Sequence, residues 1–336
     1  MPNIKDVAHE AGVSVATVSR VIRNQSSVIE STRSKVLRAI ETLDYHPNAF
    51  ARNLRNQKSK IILVIVPDIG NTFFHEILKG IESVAHANGY QVLISDMGNN
   101  AKSEVQYLHT LSQRLVDGVI SLSATAARSM IERISEKFPL VVACQYLEDS
   151  PVPNVTIDNI AAAKTIVKYL IDNGHTRIAH LTSYPDMLLY RDRMNGYFKA
   201  LAENDLPIDL ELVKYDSPSI DGGKRQMELL LELKKPITAV FAAGDTMAIG
   251  ALKALKAAGK RVPEDISVVG FDDIEISSIF EPTLSTINQP KKLMGEMAMK
   301  KLLKIIHGEK LKNLQDILNF ELVIRESSGV INGVRD

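Results

Sequence analysis

The fold of the N-terminal region is decided by the stretch Ala11-Gly-Val-Ser-Val-Ala-Thr-Val-Ser-Arg-Val-Ile22. Apolar residues recur at helical spacing on both sides of Gly12. This glycine can adopt the positive φ that often ends a helix, and Ser14 can cap the next helix by accepting a hydrogen bond from a free backbone amide. These signals predict a helix-turn-helix, whose second helix enters the DNA major groove.

The second predicted helix, residues 15–22, has an apolar inner face and a different outer face. We assign to the interior Ala8, Val13, Val18 and Ile22. The outward residues are small, hydroxyl-bearing or cationic: Val15, Ala16, Thr17, Ser19, Arg20 and Arg23. Such a surface can approach bases and phosphates closely. A third helix, predicted over residues 31–43, completes a small core with one apolar face of Val36, Leu37, Ile40 and Leu43.

The charge of the chain is distributed unevenly. Lys and Arg together number 40, and so do Asp and Glu, so the formal net charge is zero. Residues 1–60 nevertheless contain ten basic and five acidic residues. A basic N-terminal region on an acidic remainder suits DNA binding by that region alone, because phosphate contacts supply much of the affinity.

The composition excludes several other classes of protein. Apolar residues make up 45% and charged residues 24% of the chain, which is typical of a globular protein. The longest strongly apolar run, residues 61–66, is too short to cross a bilayer, and no signal-peptide pattern is visible, so we expect a cytoplasmic protein. The single cysteine, Cys144, lies in an apolar stretch, where we expect a buried thiol without chemistry.

From residue 61 onward, short apolar strands alternate with helical segments. Alternation of this kind predicts parallel sheets with helices on both faces, and the number of strands predicts two doubly wound lobes separated by a cleft. We interpret residues 155–158 and 284–289 as crossings between the lobes. The predicted domains are the helix-turn-helix at 1–47, a short helix and linker at 48–60, and a two-lobed domain at 61–336. Its first lobe covers about 61–157 and 290–319, and its second covers about 158–289 and 320–328.

Ligands of open parallel sheets bind at the carboxyl ends of the strands. The side chains that follow the predicted strands, or begin the helices after them, are aromatic, acidic, amide or cationic: Asp68, Asn71, Phe73, Phe74, Gln145, Tyr146, Tyr190, Arg191, Asp192, Arg193, Asp245, Asp272 and Asp273. Together they predict a site for a polyol or a nucleoside. For single residues an alternative stays open: Phe73 and Phe74 can belong to the core, and Asp245 can simply cap its helix.

An enzyme is not supported by the sequence. Asp272 and Asp273 could suggest acid–base chemistry, but adjacent residues on an extended stretch point to opposite sides. The chain has no Gly-rich dinucleotide loop after a strand, no phosphate-binding loop that ends in Gly-Lys-Ser and no His-Glu-x-x-His motif. Its eight histidines lack metal-ligand spacing. We therefore expect no catalytic residues, no cofactor and no metal.

Several motifs make the chain resemble the LacI-type bacterial transcription regulators over nearly all of residues 3–327. In the N-terminal region they are Ile4-Lys-Asp-Val-Ala8, Ala11-Gly-Val-Ser14, Thr17-Val-Ser-Arg-Val21, Pro47-Asn48 and Ala51-Arg-Asn-Leu54. In the remainder they include Gly174-His175, Arg193-Met-Asn-Gly-Tyr197 and Gly270-Phe-Asp-Asp273. Within this family the sequence most resembles the nucleoside-responsive cytidine repressor branch. The resemblance implies a periplasmic-binding-protein-like body, in which 48–60 is a hinge helix and linker and 61–336 is the effector-binding and dimerisation domain.

The resemblance also implies roles for individual residues. The DNA-binding set is Ser14, Val15, Ala16, Thr17, Ser19, Arg20, Asn48, Ala51 and Leu54. Among these, Val15, Ala16 and Arg20 match base-contacting positions, and Leu54 matches a hinge-helix leucine that wedges into the minor groove. The effector-binding set is Phe73, Phe74, Gln145, Arg193, Asp245 and Asp272, with Gln289 on a lobe crossing.

Three residues depart from the family pattern. Gly244 stands where some relatives have a ligand-binding Asn, and Pro218 stands where others have an aromatic residue, so the resemblance leaves the identity of the effector open. Ile29 replaces a common Ser, which leaves Glu30 or Ser31 to cap the third helix.

The sequence therefore predicts a homodimeric repressor that binds palindromic operator DNA and responds to a nucleoside or pentose-like effector. Two alternatives stay open: a sugar-binding sensor without operator function, and a regulator controlled by a phosphoprotein corepressor. The predicted hinge helix, residues 49–56, is too short to persist alone in water, so we expect it to form only when DNA or a partner chain packs on it.

We predict that Leu54→Ala weakens operator binding strongly and leaves effector affinity nearly intact, because the residue acts at the DNA and not in the cleft. Operator titrations and calorimetry with the effector measure the two affinities separately. An unchanged operator affinity would contradict the hinge mechanism.

Overall fold

The structure is a computed structural model, and it describes residues 2–22, 27–45, 59–98, 100–113, 115–124, 128–185 and 187–331. The chain divides into two compact units, Met1–Ser59 and Lys60–Asp336. The predicted hinge helix, with Asn48, Ala51 and Leu54, lies outside the described residues.

The first unit contains the predicted helix-turn-helix. Its helices are α1 (Ile4–Glu10), α2 (Val15–Ile22) and α3 (Glu30–Thr42). Gly12 has a φ of +65°, and the Ser14 hydroxyl accepts a hydrogen bond from the Thr17 amide at 3.2 Å, so both predicted turn signals are confirmed. Asn3 and Asp6 cap α1 reciprocally, since each side chain accepts a backbone N–H from the other end of the first turn.

The core of the first unit is small and wholly apolar. Its buried members are Val7, Ala8, Ala11, Val18, Val21, Val36 and Ala39. Two predictions about α3 were wrong. Leu37 is 51% exposed, because the buried face of the helix passes through Val36 and Ala39 instead. Neither Glu30 nor Ser31 is the cap: both lie inside α3, and Ile29 occupies the N-cap position without a side-chain hydrogen bond.

The second unit alternates strands and helices. Their bounds are β1 (Ile61–Val66), α4 (Phe73–Ala87), β2 (Gln91–Asp96), α5 (Ala101–Ser112), β3 (Gly118–Ser121), α6 (Arg128–Ser135), β4 (Leu140–Ala143), β5 (Asn154–Ile157), α7 (Asn159–Asp172), β6 (Ile178–Thr182), α8 (Leu188–Glu203), β7 (Val213–Tyr215), α9 (Ile220–Leu231), β8 (Ala239–Ala242), α10 (Asp245–Ala257), β9 (Ser267–Val269), β10 (Thr286–Asn288), α11 (Lys291–Ile306), β11 (Gln315–Leu318) and β12 (Glu321–Val323). Short 3₁₀ turns occupy Leu210–Leu212 and Glu275–Ser278.

The strands form two parallel sheets, which confirms the predicted two-lobed α/β architecture. Lobe 1 is built on a sheet with the order β11-β5-β4-β3-β1-β2, and lobe 2 on a sheet with the order β7-β6-β8-β9. β10 and β12 form a separate antiparallel pair. Within the described part of the chain, no helix has the length and apolar character that a bilayer crossing requires.

Both faces of the inner strands are covered, which is why these strands read as continuous apolar runs. In β1, Ile62 and Val64 pack into one core cluster, whereas Leu63 and Ile65 pack into another on the opposite face. In lobe 2, Phe241 and Val240 of β8 divide in the same way.

The edge of the lobe 1 sheet was predicted incorrectly. Residues 155–158 do not simply cross between the lobes, because 154–157 form the inner strand β5, paired on one side with β4 and on the other with β11. The strand β11 escaped prediction, since its sequence Gln-Asp-Ile-Leu lacks an apolar run and its residues are exposed or half-buried.

Two glycines allow α4 and α11 to pack with their backbones in contact. A Cβ atom on Gly295 would lie 2.1 Å from the Ile77 carbonyl oxygen, and one on Gly80 would lie 2.2 Å from the Lys292 carbonyl oxygen. No side chain fits at either position unless the helices separate. The pair therefore behaves as one rigid block in lobe 1.

We predict that Gly295→Ala lowers the free energy of unfolding by about 2 kcal/mol, because the steric conflict exceeds the helix-propensity gain of about 1 kcal/mol. Urea unfolding measures the change. Gly329→Ala is the matched control: its Cβ would have the Pro263 side chain as its nearest neighbour, at 3.8 Å, and we expect a change within about 0.5 kcal/mol. Equal effects of the two substitutions would contradict the packing argument.

Candidate effector site and nucleic-acid interface

A cavity of about 230 Å³ lies in the second unit at the carboxyl ends of the strands. Eight of the residues that line it were predicted from the sequence: Asp68, Asn71, Phe73, Phe74, Gln145, Tyr190, Arg193 and Asp272. Residues from both lobes contribute, and Gln289 from the segment between β10 and α11 completes this set. The cavity therefore occupies the position that the rule for parallel sheets indicates.

The lobe 1 wall is organised by the loop between β1 and α4. The Asp68 carboxylate accepts the Gly70 amide at 2.8 Å, and the Asn71 side-chain oxygen accepts the Phe73 amide at 3.0 Å. These bonds fix the start of α4, where the rings of Phe73 and Phe74 meet edge to face with centroids 5.2 Å apart. Both rings are buried in the core and also line the cavity, so a core position and a place in the predicted site are compatible for these residues.

Two polar side chains in the cavity wall have no hydrogen-bond partner among the residues that the structure describes. Gln145, which follows β4, is only 5% exposed and presents an unpaired amide. The hydroxyl of Tyr190, near the start of α8, is likewise unpaired, and burial raises its pKa. Buried polar groups are nearly always satisfied in native proteins, so these two groups are available to a ligand.

An ion pair forms the lobe 2 wall. Arg193 Nη2 lies 3.2 Å from the Asp272 carboxylate, Nε donates to the Asn159 side-chain oxygen at 3.0 Å, and Nη1 donates to the Ala243 carbonyl oxygen at 2.5 Å. The guanidinium also lies over the Phe271 ring, 3.7 Å from its centroid. The charge of Arg193 is thus paired with Asp272, and each of its three nitrogens has a protein partner.

Asp272 keeps part of its carboxylate free. Arg193 and the Gln289 amide both contact Oδ1, the latter at 2.7 Å, whereas Oδ2 faces the position of Gly244. Burial raises the pKa of Asp272, and the charge of Arg193 opposes that rise. Oδ2 can accept a hydrogen bond from a hydroxyl or an amine in the cavity.

Asp245 does not line the cavity, so the structure does not bring it together with the rest of the predicted effector-binding set. Its buried carboxylate accepts Thr286 Oγ1 at 2.6 Å, Ser277 Oγ at 2.7 Å and the Ile274 amide at 3.0 Å. These bonds join the start of α10 to the segments that follow β9. Asp245 does not cap its helix either, because Gly244 is the N-cap residue and no side chain bonds there.

The other predicted acidic residues are turned away from the cavity. Asp192 accepts the Tyr146 hydroxyl at 2.8 Å, and Arg191 pairs with Glu148 at 2.8 Å, so these contacts tie the loop after β4 to α8. Asp273 pairs with Arg325 at 2.8 Å. Asp272 and Asp273 thus point to different partners, in agreement with the argument against a catalytic pair.

The predicted site did not include the wall formed by the loop after β7 and the start of α9. This wall consists of Pro218, Ser219 and Ile220, and Thr246 and Met247 of α10 lie beside it. Among these, Pro218 has a sequence signal as a departure from the family pattern, whereas the other four are indicated only by their position after β7 and β8. No cluster of potential metal ligands occurs in the described residues.

The helix α2 presents the predicted outer face. Ser14, Val15, Ala16 and Arg20 are exposed, whereas Thr17 and Ser19 are half-buried. The Thr17 hydroxyl lies 3.0 Å from the Ser14 hydroxyl, so it takes part in the helix cap. Small side chains and one arginine therefore form the accessible surface.

The chain resembles known regulators over its whole length. Residues 3–48 match the family described as bacterial regulatory proteins, lacI family, and residues 167–328 match a periplasmic binding protein-like domain. The HTH-type transcriptional regulator RegA of Clostridium saccharobutylicum is 39% identical, over 97% of this chain and 99% of that protein. The HTH-type transcriptional repressor CytR of Escherichia coli K12 is 37% identical, over 97% and 96%.

A solved structure gives the same result. The crystal structure of the lac repressor dimer bound to operator and the anti-inducer ONPF has a TM-score of 0.87 to this chain and is 30% identical, over 98% of this chain and 99% of that one.

We predict that the stability of the protein depends on pH through Asp245. Burial, aided by the nearby Asp272 carboxylate, raises the pKa of Asp245 to about 7, whereas an aspartate in the unfolded chain has a pKa of about 3.9. Between these values the folded state holds a proton that the unfolded state releases, so the free energy of unfolding falls as the pH rises. Urea unfolding between about pH 4 and pH 7 should show a shallower fall for Asp245→Asn than for the unmodified chain. Parallel curves would contradict this assignment.

Proposed function

The chain belongs to the LacI family of bacterial regulatory proteins and is a transcriptional regulator; from this premise we propose that it is a homodimeric repressor controlled by a small, uncharged nucleoside or pentose-like effector. The observation that carries the effector part is the buried, unpaired Gln145 amide, which faces a cavity also lined by Asp272 Oδ2.

Operator binding is proposed for α2. Val15 and Ala16 are too small and apolar to read many bases by hydrogen bonds, but they permit close approach and contact with thymine methyl groups. Arg20 is then the main polar reader. Much of the affinity must come from phosphates, from Leu54 with its neighbours Asn48 and Ala51, and from dimer symmetry.

Dimer formation has support from the edge of the lobe 1 sheet. The outer strand β2 exposes the apolar side chains of Leu93 (51%) and Ile94 (46%). An edge strand with exposed apolar residues is a surface that natural proteins usually cover. A second copy of the chain would cover it and would also supply the second reading helix for a palindromic operator.

The charge of the cavity favours an uncharged ligand. Among the residues that line it, the acidic and basic side chains are those of Asp68, Arg193 and Asp272. Because the charge of Arg193 is already paired with Asp272, a phosphate would meet carboxylates without a free cation. Hydroxyl groups can bond to Gln145, Tyr190 and Asp272, and a flat ring can pack on Phe73 or Phe74.

Control follows from linkage between the two sites. In the proposed mechanism a ligand changes the angle between the lobes, and the hinge segment 48–60 then forms or melts. The effect of effector on operator affinity must equal the effect of operator on effector affinity. The proposed division into 1–47, 48–60 and 61–336 supplies the parts for this coupling.

We predict that the protein binds palindromic duplexes selected from a random DNA pool, with an affinity that falls as salt rises. Cytidine or D-ribose should change that affinity and raise the melting temperature, whereas cytidine monophosphate and ribose 5-phosphate should do neither. Asp272→Ala should retain DNA binding and lose both responses. Fluorescence anisotropy and thermal-shift assays measure the two quantities.

Arg20→Ala is the matched control, since it should weaken DNA binding and keep the thermal response. Asp272→Asn, which keeps the size of the side chain, repeats the test if Asp272→Ala does not fold. Absence of salt-dependent DNA binding would favour a sugar-binding sensor. DNA binding without any response to the four compounds, together with capture of a phosphoprotein that raises operator affinity, would favour a corepressor instead.

A further inference from the structure

The backbone at the ligand-facing aspartate has an unusual conformation. Asp272 and Asp273 both have a positive φ, +115° and +50°, although neither is glycine. Residues with side chains rarely adopt this region, and two in succession persist only when their surroundings hold them. Contacts from neighbouring residues must therefore hold the backbone at Asp272, and the backbone in turn sets the direction of its side chain.

One ammonium group holds both peptide units. Lys291 Nζ donates to the carbonyl oxygens of Asp272 and Asp273, each at 2.7 Å, and lies 3.5 Å from the Asn288 side-chain oxygen. Other bonds in this region act on the side chains or on the amides, such as Arg325 on the Asp273 carboxylate. Lys291 is the contact that restrains the two carbonyl groups, and it is absent from the cavity wall.

The electrostatic surroundings keep this lysine in place. Burial lowers its pKa, but the acidic side chains of Asp272, Asp273, Asp245 and Glu76 all oppose that change. An ammonium group surrounded by carboxylates and carbonyl oxygens retains its charge and its three donors.

Lys291 also connects the two sides of the cavity. It is the first residue of α11, which packs backbone to backbone against α4 at Gly80 and Gly295. Phe73 and Phe74 lie at the start of α4 and line the cavity. Through α11 and α4, Lys291 therefore links the backbone of Asp272 to the aromatic wall of lobe 1.

We infer that Lys291 is a positioning residue for effector binding, which sets the place of the Asp272 carboxylate relative to Phe73 and Phe74 without touching the ligand. This inference rests on the proposed role of Asp272 in binding the effector. It predicts that loss of the ammonium weakens effector binding only through Asp272.

The test compares Lys291→Met with Lys291→Arg and with Lys292→Met, the exposed neighbouring lysine, by calorimetry with cytidine and D-ribose. Lys291→Met should weaken binding about tenfold or more, Lys291→Arg should restore most of the affinity because it still donates, and Lys292→Met should change nothing. Full affinity of Lys291→Met would overturn the inference.

A ligand-free measurement separates this inference from the proposed effector class. Hydrogen exchange of the peptide that covers residues 270–276 should be faster in Lys291→Met than in the unmodified chain, Lys291→Arg or Lys292→Met. If neither compound binds the unmodified chain, the effector class is wrong and exchange alone decides the role of Lys291. Unchanged exchange then overturns it. Lys291→Gln replaces Lys291→Met if circular dichroism shows that the latter does not fold.

Discussion

The ion pair between Arg193 and Asp272 is the interaction on which the effector site depends. A buried guanidinium is tolerated only when its charge is paired and its nitrogens find hydrogen-bond partners. Here Asp272 pairs the charge, Asn159 and the Ala243 carbonyl oxygen accept hydrogen bonds, and the Phe271 ring lies under the group. Because the arginine is neutralised from within, the cavity has no free positive charge and favours an uncharged ligand.

The position of this pair follows from the parallel sheets. Arg193 comes from α8, Asp272 follows β9, and Gln145 follows β4 in the other lobe, yet all three line one cavity. Parallel strands end at one edge of the sheet, so residues distant in sequence converge there. Contacts such as Tyr146 with Asp192 then join the lobes close to the site.

Two aspartates with similar sequence positions have different roles because their tertiary surroundings differ. Asp245 and Asp272 both follow buried strands, and the sequence predicted the same role for them. The Asp245 carboxylate accepts hydrogen bonds from Ser277, Thr286 and a backbone amide, whereas Oδ2 of Asp272 stays available to the cavity. Hydrogen-bond partners come from segments about 30 to 40 residues away, so no local pattern could distinguish the two.

The sequence by itself determined the helix-turn-helix, with Gly12 and Ser14 at its turn, and the two-lobed body. Helix capping, helical periodicity and buried apolar strands depend on residues close in the chain, so they are readable from it. Only the tertiary structure decided the inner position of β5 and the exposure of Leu37. It also decided the hydrogen bonds of the Asp245 carboxylate and the bond from Lys291 to the Asp272 carbonyl oxygen. Each of these depends on a partner far away in sequence, and the chain order does not specify which distant segment supplies it.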